Sequence, residues 1–203
     1  MKKHTLVLVL SLALVFGIAV GGTFAYLKAQ TADVVNTFTV GDINIDLEEH
    51  PLKAGDNYDG KTIDTSAETV KKVDNYKMLP GRTLEKDPFV TVKKDSEACW
   101  LFVKLTKSSN FDTYMTYEIA SGWTALSGQD GVYYRQVPAA TANVTFPVLK
   151  ENQVLVKSSV TKAQLEAAAT SKPTLTITAY AVQQEGVTDV TTAWGIANGT
   201  ITE

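Results

Sequence analysis

The sequence predicts an all-β fold, a jelly-roll-like β-sandwich with one or two short helices and a long surface loop. Three observations carry this. Apolar and polar residues alternate with period two over most of the chain beyond Tyr26. Turn residues such as Pro80-Gly81, Ser121-Gly122 and Gln129-Asp130-Gly131 punctuate the runs. One run, Cys99 to Leu105, is apolar on both faces.

The chain opens with a different kind of segment. Met1-Lys2-Lys3 is positive, Leu6 to Val20 is almost continuously apolar, and Gly21-Gly22-Thr23-Phe24-Ala25 follows. Small residues at Thr23 and Ala25 ahead of Tyr26 complete the layout of a secretory signal. The expected organisation is a signal peptide over 1–25 and a single β-sandwich domain over 26–203, with membrane contact only through the signal before cleavage. An uncleaved anchor is the alternative, because the apolar run borders on the length of a spanning helix. Cleavage removes Lys2 and Lys3 and no acidic residue, so the mature chain is the more acidic.

The first strand is expected around Gly41. Phe38 and Val40 alternate with Thr37 and Thr39, and Ile43, Ile45 and Leu47 with Asp42, Asn44 and Asp46. The apolar set changes from even to odd numbers across Gly41, as a β-bulge or a change of sheet would require. Glu48 to Lys77 is polar and aperiodic and reads as a long surface excursion. Strands follow at Phe89 to Val92, Cys99 to Leu105, Tyr114 to Ile119, Val132 to Val137, Val144 to Leu149, Gln153 to Val156 and Thr174 to Val182. The second of these is expected to be central and covered on both sides. In the last, Leu175, Ile177, Ala179 and Ala181 share a face. Thr161 with Gln164 forms a capping box ahead of a short helix, and Val190 to Ala197 forms another ending at Asn198-Gly199.

Composition narrows the function classes. With 44% hydrophobic and 20% charged residues the chain is an ordinary globular one. A net charge of −3 offers no electrostatic footprint for nucleic acid. One cysteine, Cys99, excludes an intramolecular disulfide. It sits in an apolar run as a small buried hydrophobe, with an intermolecular disulfide or a reactive thiol as the alternatives.

Catalytic chemistry finds little footing. His4 and His50 are the two histidines, and His4 leaves with the signal, so no pair of histidine ligands remains. A Ser-His-Asp site would need His50, which lies beside a polar loop without a Gly-x-Ser-x-Gly and reads as a solvated histidine. A Cys99–His50 thiol dyad has no support in the pattern. The chain is therefore expected not to be an enzyme, and to need no cofactor. Asp56 and Asp59, with Asn57 and Asp64, are weak calcium candidates that miss the EF-hand spacing; a solvated acidic loop is the simpler reading. Trp123, Tyr133 and Tyr134 are candidate stacking residues for a sugar or a partner, although strand aromatics commonly belong to cores.

Two stretches together, Gly21-Gly22-Thr23-Phe24-Ala25 and Val35-Asn36-Thr37-Phe38-Thr39-Val40-Gly41, resemble the start of the TasA/camelysin family of secreted Gram-positive proteins. Leu79-Pro80-Gly81-Arg82-Thr83-Leu84-Glu85-Lys86-Asp87 is similar to that family's Pro-Gly segment, and Thr178 to Gln183 to exported proteins with the same signal type. About a third of the chain carries the resemblance, and Asn110 to Ala169 does not match. It implies a jelly-roll-like sandwich, a dedicated signal peptidase of the SipW type cutting at Ala25/Tyr26, secretion to the surface or biofilm matrix, and self-association into fibres. The metallopeptidase activity ascribed to camelysins is not expected, for want of a zinc motif. A route to fibres is donor-strand exchange, with Tyr26 to Val40 as the donor and Val35, Phe38 and Val40 filling pockets. The alternatives are an ordinary first strand in a monomer, and a secreted binding module for polysaccharide or a surface protein.

Overall fold

β4 (Cys99–Lys107) organises the domain, because both of its faces are buried. Cys99, Leu101, Val103 and Leu105 point into a main core, while Trp100 and Phe102 point into a second core on the opposite side. The computed structural model describes residues 41–53, 63–70 and 76–201. The chain divides into two units, Met1–Thr39 and Val40–Glu203, and every described residue belongs to the second.

The fold is an all-β sandwich of three antiparallel sheets with few short helices. In the first sheet β3 (Phe89–Val92) lies between β1 (Ile45–Glu48) and β8 (Val144–Pro147). Ile45 pairs with Val92 and Glu48 with Phe89. The second sheet has the order β10-β4-β7-β6, with β10 (Leu175–Gln183), β7 (Val132–Val137) and the two-residue β6 (Thr124–Ala125). β4 and β10 pair along nine residues each, from Leu175 opposite Lys107 to Gln183 opposite Cys99. The third sheet, β2 (Thr83–Glu85), β9 (Gln153–Val156) and β5 (Met115–Thr116), has β9 in the middle.

The main core draws on all three sheets, with Leu84, Met115 and Val154 coming from the third. Val90 and Val92 of β3 share it with Leu101 and Val103 of β4 and with Val137, Val148, Leu149 and Val156. Each such side chain, once removed from water, contributes about 1.5–3 kcal/mol before entropy is counted. Leu175, Ile177, Ala179 and Ala181 of β10 pack on the same core, as their alternation requires. Ile43, Ile45 and Leu47 do likewise. Phe38 and Val40, the other half of the alternation around Gly41, lie outside the described residues.

The second core is a helix on a strand face. α3 (Val190–Ala197) lays Ala193 and Trp194 over Trp100 and Phe102, the Trp194 and Phe102 rings being 5.3 Å apart. Asp189 caps the helix by accepting from the Thr191 and Thr192 N–H groups. Ile201 Cδ1 packs over Gly195, where a Cβ would lie 2.4 Å from it and make the exposed Ile201 side chain shift. α2 (Lys162–Thr170) carries the expected capping box, Gln164 N donating to Thr161 Oγ1 and Thr161 N to Gln164 Oε1.

Two expectations need correction. Tyr114 to Ile119 is not one continuous strand: Tyr114 closes a short helix, α1 (Phe111–Tyr114), Met115–Thr116 pairs with Val156 and Leu155, and Ile119 makes a single bridge to Leu149. Burial of Phe111 and Tyr114, and a hydrogen bond from Tyr114 Oη to the Gln164 carbonyl, outweigh the local strand preference. Similarly, β8 ends at Pro147; Val148 and Leu149 are fully buried, and Leu149 keeps only a single bridge, to Ile119.

The excursion from Glu48 to Lys77 also differs from its reading as a surface loop. Glu48 ends β1, and Glu49 is buried. The described parts of the segment double back, with single antiparallel bridges between Glu49 and Val70 and between Leu52 and Ile63.

Candidate functional site

A groove of about 1120 Å³ opens between the ends of β1 and β10. Its apolar lining follows from the alternation of the elements around it. Leu47 comes from β1, Leu84 from β2, Val154 from β9, Leu165 and Ala168 from α2, and Leu175 and Ile177 from β10. Phe111 and Met115 are also in the lining. Among the described residues β1 and β10 are the outer strands of their sheets, so each presents an edge beside the groove.

A compact polar cluster sits at one rim. Lys86 Nζ lies 2.6 Å from Glu49 Oε2, and both side chains are largely buried. One residue along, His50 Nδ1 lies 2.6 Å from Asp87 Oδ2, and the His50 backbone N–H donates to Asp87 Oδ1 at 3.0 Å. Glu85 Oε2 accepts from the Ile63 N–H at 2.9 Å. Three successive residues, Glu85 to Asp87, thereby fasten three points of the excursion to the body. Lys86 also lies over the Tyr76 ring at 5.3 Å. The Tyr76 hydroxyl is buried with no hydrogen-bond partner among the described residues, and its pKa is pushed far up by burial and then by the Glu49 and Asp87 carboxylates.

His50 is thus not a solvated histidine. Its side chain is 21% exposed, its ring rests 5.5 Å from that of Phe89, and its partner Asp87 is only 7% exposed. Among the described residues no hydroxyl hydrogen-bonds to His50, and the two-point contact clamps His50 to Asp87. Cys99 is not brought to it. The thiol is buried in the main core, and burial pushes its pKa up to about 11.

Thr23, Ala25, Tyr26, Val35, Phe38, Val40, Asp56, Asn57 and Asp59 lie outside the described residues. Asp64 is described. Its carboxylate accepts from the Ser66 hydroxyl and N–H, which lowers its pKa and makes it a turn residue.

Trp123, Tyr133 and Tyr134 do not form one platform. Tyr133 packs on the main core and Tyr134 on the second, as neighbours on a strand must. Trp123 donates from Nε1 to the Pro147 carbonyl at 2.8 Å and faces Arg135. The Arg135 guanidinium lies 3.9 Å from the Phe146 ring centroid and 5.3 Å from that of Trp123. Sequence reasoning overlooked Arg135 and the Glu49–Lys86 pair. For Arg135 the available signal was a lone cation directly after two tyrosines in a strand; the Glu49–Lys86 pair had none, because its members are far apart in sequence.

Comparisons with models of known protein families, with curated proteins and with solved structures each found no match.

Proposed function

We propose that this chain is a secreted structural protein of the cell surface or biofilm matrix, in which Tyr26 to Val40 of one copy completes the sandwich of a neighbour. The observation that carries this reading is the apolar groove flanked by two sheet edges, β1 and β10. An added strand satisfies edge N–H and C=O groups while its alternate side chains fill apolar pockets. Val35, Phe38 and Val40 supply such side chains, and an extended Tyr26 to Val40 reaches about 50 Å at about 3.3 Å per residue. Head-to-tail contacts of this kind build filaments unless they close into a ring.

The signal-like start supports export, with the dedicated signal peptidase as a transient partner and a Gram-positive bacterium as the source. The resemblance to the TasA/camelysin family supports both the matrix role and jelly-roll connectivity. The role is non-enzymatic and uses no cofactor.

The test compares a chain beginning at Tyr26 with one beginning at Asp42 by negative-stain electron microscopy. Filaments from the longer chain alone are expected. Folded monomers from both would overturn the assembly reading.

A further inference from the structure

The two open sides of the sandwich are built differently. On the β1/β10 side the inward-facing residues are all apolar, Ile45 and Leu47 on β1 and Leu175, Ile177, Ala179 and Ala181 on β10. β10 runs for nine residues, and neither strand contains a proline. On the other side, among the described residues, the outer strands are β6 and β8. β6 has only two residues. β8 ends at Pro147, whose carbonyl already accepts from Trp123 Nε1 at 2.8 Å.

β8 has little left to offer an incoming strand. The Val148 N–H donates to the Pro88 carbonyl, and the antiparallel ladder alternates, so Val144 and Phe146 also turn their backbone groups toward β3. Thr145 and Pro147 face away, and Pro147 has no N–H to give. Arg135 stands in the mouth beside them. It shares a face of β7 with Tyr133 and Val137, which pack on the main core, so it points inward. Its guanidinium lies 3.9 Å from the Phe146 ring centroid and 5.3 Å from that of Trp123. Among the described residues no carboxylate pairs with it, and its Nε is buried with no hydrogen-bond partner. A strand laid on β8 would set an inward side chain beside Phe146, where the guanidinium stands, and would seal an unpaired charge from water. Short strands, prolines and inward-pointing charges each discourage pairing at a sheet edge, and all three meet here.

We propose that Trp123, Arg135 and Pro147 form a barrier that closes the β6/β8 side to strand addition, leaving the β1/β10 side to receive a neighbour. Each copy then accepts one strand and donates one, so filaments neither branch nor fuse sideways. The consequence for filaments rests on the assembly reading above; the barrier itself does not.

Sedimentation velocity on the chain beginning at Tyr26 tests it, in a Phe38→Asp background that removes the donor contact. This parent is expected to stay monomeric. Arg135→Met with Pro147→Val takes away the charge and restores an N–H, and should associate at concentrations at least about tenfold below any at which the parent does. Arg135→Lys keeps the charge, and Gln136→Met adds the same side chain to the opposite face of β7, so both should stay monomeric. Trp123→Phe keeps a ring beside Arg135 but frees the Pro147 carbonyl. It should associate more weakly, and the test survives if the double variant misfolds. Folded monomers from both the double variant and Trp123→Phe would overturn the proposal. Equal association of Arg135→Lys or Gln136→Met, or sideways association of the parent, would overturn it too. If the chain with Phe38 intact forms no filaments while the double variant associates, the barrier stands and the assembly reading falls.

Discussion

The Asp87 carboxylate grips His50 at two points, one oxygen 2.6 Å from Nδ1 and the other accepting the backbone N–H at 3.0 Å. This fixes where the chain leaves β1 and turns into the excursion. Asp87→Ala strips a partner from both groups in a partly dry site and should cost about 2–3 kcal/mol. Urea unfolding checks this. Asp87→Asn keeps one acceptor and should cost less, and equal losses for the two would speak against a two-point grip.

The Glu49–Lys86 pair is more deeply placed than a surface ion pair. Lys86→Met leaves a buried carboxylate without its lysine, which should cost about 2–4 kcal/mol. Replacing both residues together should cost less than Lys86→Met alone. A double-mutant cycle by urea unfolding measures the coupling, and a value near zero would show that the pair is idle.

Gly131 and Gly128 separate backbone strain from collision. Both have a left-handed φ, +69° and +76°, but a Cβ on Gly131 would lie 2.3 Å from the Leu105 carbonyl oxygen, whereas nothing lies within 4 Å at Gly128. Gly128→Ala should cost about 1–2 kcal/mol from strain alone. Gly131→Ala must also displace β4 and should lower the melting temperature further. Equal melting temperatures would mean that β4 yields freely.

Alkaline pH should weaken the fold through Cys99. Unfolded, the thiol ionises near its ordinary pKa of 9.0; folded, it resists until about 11. Between these values the native state holds more protons, so stability falls as pH rises through that window and is intact below it. Tyr117, pushed up to about 12 by burial, acts in the same direction at higher pH. Urea midpoints on either side of pH 9 check this, and Cys99→Ala should flatten the slope. Rapid labelling of the native thiol near pH 8 would contradict the burial argument.

Assembly should fail without loss of fold when the donor strand is spoiled. Phe38→Asp places a charge where the added strand would meet the apolar groove, so filaments should be lost while the melting temperature of the monomer holds. Filaments in undiminished number would remove Phe38 from the contact.

The sequence alone determined the elements whose signals are local. Alternation placed β3, β7 and β9 at their observed positions, and a run apolar on both faces identified β4 as central. A Thr161–Gln164 box set the start of α2, and glycines set the turns. These features depend on neighbours a few residues apart, and periodicity reports them directly. Tertiary structure decided the rest. Tyr114 entered a short helix because Phe111 and Tyr114 are drawn into the core and Tyr114 Oη reaches Gln164. His50 became a clamp because Asp87 meets it from 37 residues away. Arg135 acquired its aromatic flanks because β8 and the turn carrying Trp123 converge on β7. Such contacts join residues whose separation in sequence carries no period, so only the packing of the sheets brings them together.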